Sequence, residues 1–232
     1  MITAVIPARG GSKRLPGKNI KLLNGRPLIF HSLDAVLNHE SIAKIIFTTD
    51  SDEYIDLVFN EYGDSVVIEK RPEHYALDTT KVHDEVVRLA ETNLIETDWF
   101  MLCLPTAPLR SHDTVASMLQ TWAIDHHARF SASSYGFPIQ FAFDIDGNGD
   151  WNPIADDSPM LSGNTRSQDI PTRYRPNGAI YLQRTDRLQK NKTFYIDAKP
   201  FLISEIESTD VDIEIDFKFA EILMAERDSS IP

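Results

Sequence analysis

The chain has 232 residues, 42% of them hydrophobic, and a formal net charge of -12 at pH 7. This length can bury one sizeable core, so we expect a single domain over residues 1–232, and no apolar run is long enough for a membrane span or a secretory signal, which predicts a cytoplasmic protein without a membrane partner. The acidic balance argues against a nucleic-acid partner, because a phosphate backbone requires an extended basic face.

Short apolar runs alternate with amphipathic segments in the first half of the chain. Asp50 and Glu53 form a capping-box pattern at the start of one helix, and Ser111 can cap another. We predict strands at residues 2–6, 45–47, 66–68 and 99–104, and helices at residues 28–37, 50–62, 82–90 and from 111 onward. This alternation predicts an α/β fold of three layers, with a mostly parallel sheet covered by helices on both faces.

After residue 129 the sequence becomes less regular. Short strands near residues 141–145 and Pro/Asp/Ser/Asn-rich sequence at 151–172 predict a small elaboration at about residues 136–200 that contacts substrate or another subunit. We predict that the chain returns to regular structure as strands at residues 178–182 and 201–206 and as a closing helix with one apolar face, formed by Phe217, Ala220, Leu223 and Met224.

The loop after the first strand concentrates positive charge on an acidic protein. Before the first acid, Asp34, the sequence carries Arg9, Lys13, Arg14, Lys18, Lys21 and Arg26. Gly10 and Gly11 would let the backbone approach a phosphate while the cations supply countercharge. The spacing excludes a Walker A loop, because five residues separate Gly11 from Gly17 and Asn19 follows Lys18. We predict a polyanion site; the alternative is a solvated basic loop.

Acids alternate with apolar residues near the C-terminus. If residues 210–216 form a strand, its acids share one face, and the alternative to a functional role is a half-buried strand with one wet face. Asp210 and Asp212 are hard oxygen ligands suited to Mg²⁺, which binds one or two carboxylates together with substrate phosphates. A basic loop and a metal-binding acid pair on one sheet predict a nucleotide triphosphate site.

Four motifs occur in order along the chain: IPARGGSK at residues 6–13 followed by Lys18-Asn19, LPTAPLR at 104–110, RPNGAIY at 175–181, and DVD at 210–212. Together they closely resemble the N-acylneuraminate cytidylyltransferases, the CMP-sialic acid synthetase family, nearly end to end. The resemblance implies a Rossmann-like nucleotidyltransferase fold. It also implies a reaction that couples CTP to the anomeric hydroxyl of a nine-carbon 2-keto acid and releases pyrophosphate.

The resemblance also implies roles for individual residues. Those of the triphosphate loop and nucleotide site are Arg9, Gly10, Gly11, Ser12, Lys13, Lys18, Asn19 and Arg71, among which Arg9, Lys13 and Lys18 are catalytic. The metal pair is Asp210 and Asp212, which implies Mg²⁺ as cofactor. The sugar-binding residues are Leu104, Thr106, Gln140, Arg166, Arg175, Asn177, Tyr181, Phe194 and Tyr195. The Phe194-Tyr195 pair matches one that reaches across a dimer interface in the family, which implies a homodimer.

Some residues differ from the family pattern. Leu104 and Ala107 stand where many members have glutamine and serine, and Gln140 stands where some have lysine. Residues 165–169 are similar to the bacterial pseudaminic and legionaminic acid branch. Loss of hydrogen-bond partners discriminates strongly between sugars, so we expect a deoxygenated nonulosonic acid as substrate.

Two other functions fit part of the pattern. A nucleotide-sugar glycosyltransferase could use Asp210 and Asp212 as its metal motif, but it does not explain the basic N-terminal loop. A non-catalytic nucleotide-binding relative would explain the altered residues but not the intact cations and acids. The remaining acids, including Asp78, Asp84 and Glu85, are expected at a helix start and on its solvated face.

Overall fold

The computed structural model describes residues 1–163 and 165–229. Its strands are β1 (Ile2–Pro7), β2 (Leu22–Leu23), β3 (Arg26–Pro27), β4 (Ile42–Thr49), β5 (Val67–Lys70), β6 (Trp99–Cys103), β7 (Ala128–Ser134), β8 (Phe143–Ile145), β9 (Trp151–Pro153), β10 (Tyr174–Arg184) and β11 (Ala198–Leu202). Its α-helices are α1 (Leu28–Val36), α2 (Asp52–Tyr62), α3 (Val82–Glu91), α4 (His112–Asp125), α5 (Pro159–Ser162) and α6 (Glu214–Ser229). No helix in the described ranges is long and apolar enough to cross a membrane.

The main sheet has the strand order β11-β7-β10-β6-β1-β4-β5. Strand β10 runs antiparallel to β6 and β7, whereas the other neighbouring strands pair in parallel. The predicted mostly parallel sheet is therefore confirmed. The parallel strands end at one edge of the sheet, and β10 begins at that same edge. Residues that follow the parallel strands therefore lie close to the first residues of β10.

Both faces of the sheet are covered, as the predicted three layers require. Along β1, Ala4 and Ile6 pack with residues of α1, α2 and α4, whereas Val5 packs with residues of α3 and with Phe194 on the other face. A third apolar cluster joins α6 to the N-terminal loop through Phe217, Leu15 and other residues. The two ends of the chain thus pack against each other beside the sheet.

Strand β7 is absent from the prediction because one of its two buried faces is polar. Ser131 and Ser133 are each 1% exposed. The Ser131 hydroxyl donates a hydrogen bond to Asn177 Oδ1 over 2.5 Å. Buried hydroxyls with a partner replace apolar side chains here, and hydropathy alone does not register such a strand.

The predicted elaboration at residues 136–200 has different limits in the structure. It contains the β8–β9 hairpin and α5, which lie outside the main sheet. Strand β10, however, lies inside the main sheet between β7 and β6. The part outside the sheet therefore ends before Tyr174, and residues 174–184 belong to the central framework.

Two local predictions are wrong. Ser51, rather than Asp50, caps α2, because its hydroxyl accepts the Tyr54 amide at 3.3 Å. Residues 210–216 do not form a strand: α6 begins at Glu214, and Asp216 Oδ2 accepts the amide protons of Asp212 and Ile213 at 3.0 and 2.9 Å. A carboxylate that reaches back to these donors stabilises a helix start, and this interaction outweighs the period-two pattern.

Candidate active site

A cleft of about 470 Å³ opens at the edge where β1, β4, β5 and β6 end. This position is the usual ligand site of an open α/β sheet. The sequence-predicted residues that line the cleft are Arg9, Ser12, Lys13, Lys18, Asn19, Arg71, Leu104, Thr106 and Asp212. The structure therefore gathers residues from both ends of the chain and from its centre into one site.

Internal hydrogen bonds hold the loop after β1 in shape. Asn19 Nδ2 donates to Arg9 O at 3.0 Å, and Gly17 has a left-handed φ of 67°. Gly10 donates its amide proton to Asp50 Oδ1 at 2.8 Å, and a Cβ at this position would lie 3.0 Å from Ser51 Cβ. The predicted role of Gly10 therefore changes: its missing side chain allows close packing against Ser51, and its amide already has a partner.

Lys18 connects the basic loop to the C-terminal acids. Its side chain is buried, and Nζ donates to Val211 O at 2.6 Å and to Asp212 Oδ1 at 3.2 Å. Arg14 pairs with the other Asp212 oxygen at 2.8 Å. Two features that are nearly 200 residues apart in the sequence thus form one charged cluster.

Asp78 lies in the same cleft, which contradicts its expected place on a solvated helix face. Arg9 NH1 lies 2.5 Å from Asp78 Oδ1, and Lys13 pairs with Asp78 Oδ2. The hydrogen bond from Lys13, assisted by Arg9, lowers the pKa of the Asp78 carboxyl below its usual range. Asp78 is therefore the internal counterion of two predicted triphosphate ligands.

Arg71 is fixed at the far wall of the cleft. Its NH2 donates to Thr48 O at 3.1 Å, its Nε lies 3.5 Å from Glu85 Oε1, and desolvation by burial lowers its pKa. Glu85, expected on a solvated face, is only 1% exposed. It accepts hydrogen bonds from the Thr48 hydroxyl at 2.5 Å and from Arg88 at 2.9 Å. The buried carboxylate of Glu85 therefore connects Arg71, which lines the cleft, to α3.

The loop after β6 and strand β10, which both carry predicted sugar residues, lie side by side: a Cβ on Gly178 would be 3.8 Å from Leu104 Cδ1. Leu104 and Thr106 line the main cleft. Ala107 is 1% exposed and packs in the core, which contradicts the expectation that the side chain at this position faces the sugar. Tyr181 shares a hydrogen bond of 3.1 Å with the Tyr195 hydroxyl, and the Phe194 ring lies 5.1 Å from the Tyr181 ring.

The remaining sugar candidates lie in different places. Arg175 lines a neighbouring cleft of about 480 Å³ that also contains Asp210. Gln140 is buried, and its Nε2 donates to Pro171 O at 3.0 Å. Arg166 has a largely exposed side chain 3.7 Å from Asp169. Gln140 and Arg166 line neither cleft, and the same holds for Asn177, Tyr181, Phe194 and Tyr195, so Leu104, Thr106 and Arg175 are the predicted sugar residues that line one of the two clefts.

Residues 3–137 match the cytidylyltransferase family. The chain belongs to this family. It is 33% identical over 237 residues to the CMP-N,N'-diacetyllegionaminic acid synthase of Legionella pneumophila, with 96% of both chains covered. It is 31% identical over 225 residues to the pseudaminic acid cytidylyltransferase of Campylobacter jejuni, with 94% of both chains covered. The resemblance drawn from the four motifs is therefore confirmed, including its bacterial branch.

Solved structures confirm the nucleotidyltransferase fold of this family member. A CMP:2-keto-3-deoxy-manno-octonic acid synthetase complexed with CTP has a TM-score of 0.70 at 19% identity, with 98% of this chain and 100% of that chain covered. A 4-diphosphocytidyl-2C-methyl-D-erythritol synthase from Anaerococcus prevotii has a TM-score of 0.65 at 12% identity, with 97% of this chain and 96% of that chain covered. At these identities the likeness concerns the fold alone.

The acid pair of this family member suits a metal that substrate helps to bind. Desolvation raises the pKa of the Asp210 carboxyl, the like charge of Asp212 adds to the shift, and a hydrogen bond with Thr106 opposes it. Asp212 already pairs with Lys18 and Arg14, so a metal ion would share its carboxylate with these two cations. Within the described ranges no third acid, histidine or cysteine completes a protein cage. The donor set therefore fits Mg²⁺, which accepts two carboxylates and fills its other positions with phosphate oxygens and water.

Proposed function

We propose that the protein transfers CMP from CTP to the anomeric hydroxyl of a nonulosonic acid and releases pyrophosphate. The observation that carries this proposal is the contact of Lys18 with Val211 and Asp212 inside the main cleft. This contact supports the proposal because it joins Lys18, a proposed triphosphate ligand, to Asp212, a proposed metal ligand, in the cleft that Arg71 also lines. A glycosyltransferase would explain Asp210 and Asp212 but would not explain why Lys18 of the basic loop contacts Asp212.

The reaction would depend on positioning and electrostatics. The sugar hydroxyl attacks the α-phosphorus of CTP, a new P–O bond forms, and the bond to the β-phosphate oxygen breaks in line. Arg9, Lys13 and Lys18 hold the triphosphate and offset the charge that develops on the leaving pyrophosphate. We propose that Asp210 and Asp212 hold Mg²⁺, which when bound adds positive charge to the phosphates.

The proposed sugar is a nonulosonic acid of the legionaminic or pseudaminic type. The two relatives described above act, by their names, on such acids. Leu104 offers an apolar side chain to the cleft beside Thr106. A site without an amide at this position loses a hydrogen-bond partner for a hydroxyl, which disfavours the more hydroxylated sugars.

We further propose a homodimer. Phe137, Phe143 and Trp151 are exposed aromatic residues outside the main sheet, and Tyr195 is half exposed beside Tyr181. Clustered exposed apolar side chains favour a protein interface. Light scattering after size-exclusion chromatography measures this directly: we expect twice the mass of one chain, and a monomer at working concentration contradicts the proposal.

Pyrophosphate release tests the reaction. Purified protein with CTP and Mg²⁺ is assayed against legionaminate, pseudaminate and N-acetylneuraminate, and we expect turnover with one of the first two to exceed that with N-acetylneuraminate. Asp212→Ala should abolish turnover, whereas Asp64→Ala, an exposed acid outside both clefts, should not change it. Equal turnover with N-acetylneuraminate contradicts the sugar assignment, and no turnover with any acid contradicts the reaction.

A further inference from the structure

Arg110 is an unusually placed cation. It ends the LPTAPLR motif, its side chain is 2% exposed, and burial lowers its pKa. Among the described residues no carboxylate lies within ion-pair distance of its guanidinium group. Glu207 acts on it electrostatically without a direct ion pair. A buried charge without a direct partner is destabilising, so a position that keeps one calls for an explanation beyond packing.

The hydrogen bonds of Arg110 join the two segments that carry the proposed sugar residues. Its NH1 donates to Ala179 O at 2.7 Å and to Leu104 O at 3.3 Å. Leu104 precedes Thr106 in the loop after β6, and Ala179 lies between Asn177 and Tyr181 in β10. Arg110 therefore holds the loop after β6 and strand β10 at a fixed distance from each other; we call these two segments the walls of the proposed sugar site.

The Ala179 carbonyl belongs to a peptide unit that is held from both sides. Its other end, the Ile180 amide, donates to Ser131 Oγ at 2.8 Å. The Ser131 hydroxyl in turn donates to Asn177 Oδ1 at 2.5 Å. Contacts therefore run from Arg110 through one peptide unit and Ser131 to the side chain of Asn177.

These side-chain contacts replace ordinary strand pairing. The register of β10 against β7 shifts between Pro176 and Tyr181. Ser131 and Asn177 supply the hydrogen bonds within this interruption, and Asn177 Nδ2 is a buried donor with no partner in the part of the chain that the structure describes. A buried donor without a protein partner is compatible with completion by a ligand.

We propose that Arg110 is a positioning residue for the sugar-acid half of the site. It orients Asn177 and the Leu104–Thr106 wall through the Ala179 and Leu104 carbonyls and does not itself touch the substrate. This inference rests on the proposed function, because it assigns these walls to the sugar. It predicts that changes at Arg110 alter sugar binding and leave CTP binding intact, since the basic loop follows β1 and Arg71 follows β5, and Arg110 has no hydrogen bond to either.

Steady-state kinetics of the full chain test this separation. Arg110→Met removes the charge and both hydrogen bonds at similar volume, and we expect the KM for the sugar acid to rise about tenfold or more while the KM for CTP changes less than about twofold. Arg110→Lys keeps the charge and one donor group and should give a smaller rise. Ser131→Ala removes the hydrogen bonds to the Ile180 amide and to Asn177, and it should also raise the KM for the sugar acid.

Arg129→Met is the matched control. Arg129 is also buried, at 4% exposure, but it lies at the start of β7, at the opposite edge of the sheet, and pairs with Asp125 at 2.8 Å. We expect it to lower the melting temperature and to leave both KM values unchanged. A purely structural role for Arg110 would make Arg110→Met behave in the same way.

The outcomes separate this inference from the proposed function. If the wild-type protein turns over CTP and a nonulosonic acid, but Arg110→Lys and Ser131→Ala change neither KM or change both equally, the positioning role is wrong. These two variants decide the question even if Arg110→Met does not fold. If the wild-type protein is inactive with every acid of the panel, the proposed function itself is wrong.

Discussion

Asp78 holds two cations of the N-terminal loop, Arg9 and Lys13, that line the cleft. Arg9 and Lys13 both pair with its carboxylate, although the latter side chain is 80% exposed. A triphosphate that binds these cations must replace the carboxylate of Asp78. The acid therefore competes with the substrate for the same positive charge.

Asp78→Asn should lower the KM for CTP about two- to fivefold, because exposed ion pairs of this kind are individually weak. The measurement is the initial rate of pyrophosphate release against CTP concentration. Asp64→Asn, which removes an exposed acid outside the cleft, should leave KM unchanged. A higher KM in Asp78→Asn would mean that the carboxylate orders the loop and does not compete with CTP.

Glu85 has the opposite relation to the nucleotide site, because it supports a cation from behind. Glu85→Gln leaves Arg71 and Arg88 as neighbouring cations without a buried countercharge, which should lower the free energy of unfolding by about 3 kcal/mol. Arg71 loses its orientation, so the KM for CTP should rise while the KM for the sugar does not. Urea unfolding and steady-state kinetics measure these two effects.

Glu69→Gln is the control for this prediction. Glu69 accepts a hydrogen bond from Arg88 NH1 at 2.9 Å but is at the outer end of the network, away from Arg71. It should lower stability less than Glu85→Gln and leave the KM for CTP unchanged. Equal effects of the two variants on KM would show that Glu85 has no specific role in placing Arg71.

At the scale of elements, the start of α6 determines how the acid pair is presented. Asp216 accepts the amide protons of Asp212 and Ile213, so the chain turns into the helix directly after the pair. The Val211 amide donates a hydrogen bond to Thr106 O at 2.7 Å, which joins this segment to the loop after β6. The acid pair is thus held between a helix start and the loop after β6.

Asp216→Ala should lower the free energy of unfolding by about 1 kcal/mol, the usual effect of removing a side-chain acceptor at a helix start. Asp216→Asn keeps one oxygen acceptor and should lose less. Glu221→Ala, on the exposed side of α6, should change stability little. Urea unfolding measures the stability of all three variants, provided that their m values are equal. An unchanged midpoint in Asp216→Ala would contradict the role assigned to its carboxylate.

The same element shows why sequence reasoning failed locally. The alternation in residues 210–216 is typical of a strand, but it carries no information on whether a partner strand is available to pair with it. The hydrogen bonds of Asp216 depend on three-dimensional placement. Strand β7 is difficult to predict for a related reason. Its buried Ser131 depends on hydrogen bonds with Asn177 and with the Ile180 amide, which are distant in the sequence. In contrast, the regular apolar runs of β1, β4 and β6 were predictable because burial on both faces needs no such partners.

At the scale of the whole molecule, the motif residues of the site could be predicted from the sequence. The acidic side chains that pair with its cations could not. Arg9, Lys18 and Asp212 stand in motifs that the resemblance identifies. Asp78 and Glu85 stand in no motif, and each has its role only because folding brings it to a cation. The distance from Arg9 to Asp78 is 69 residues along the sequence, beyond the reach of any periodic pattern.

Binding of CTP should stabilise the whole chain, because the cleft joins residues near both termini. A ligand at about one hundred times its Kd adds about 2.7 kcal/mol to the free energy of unfolding. For a chain of this size that raises the melting temperature by about 5–10 °C. Differential scanning fluorimetry with CTP and Mg²⁺ measures the shift. Asp212→Ala, or CTP with a chelator, should give a smaller shift if the acid pair holds the metal. An equal shift in all three samples would mean that the metal adds nothing to CTP binding and would leave the basic loop as the main source of triphosphate affinity.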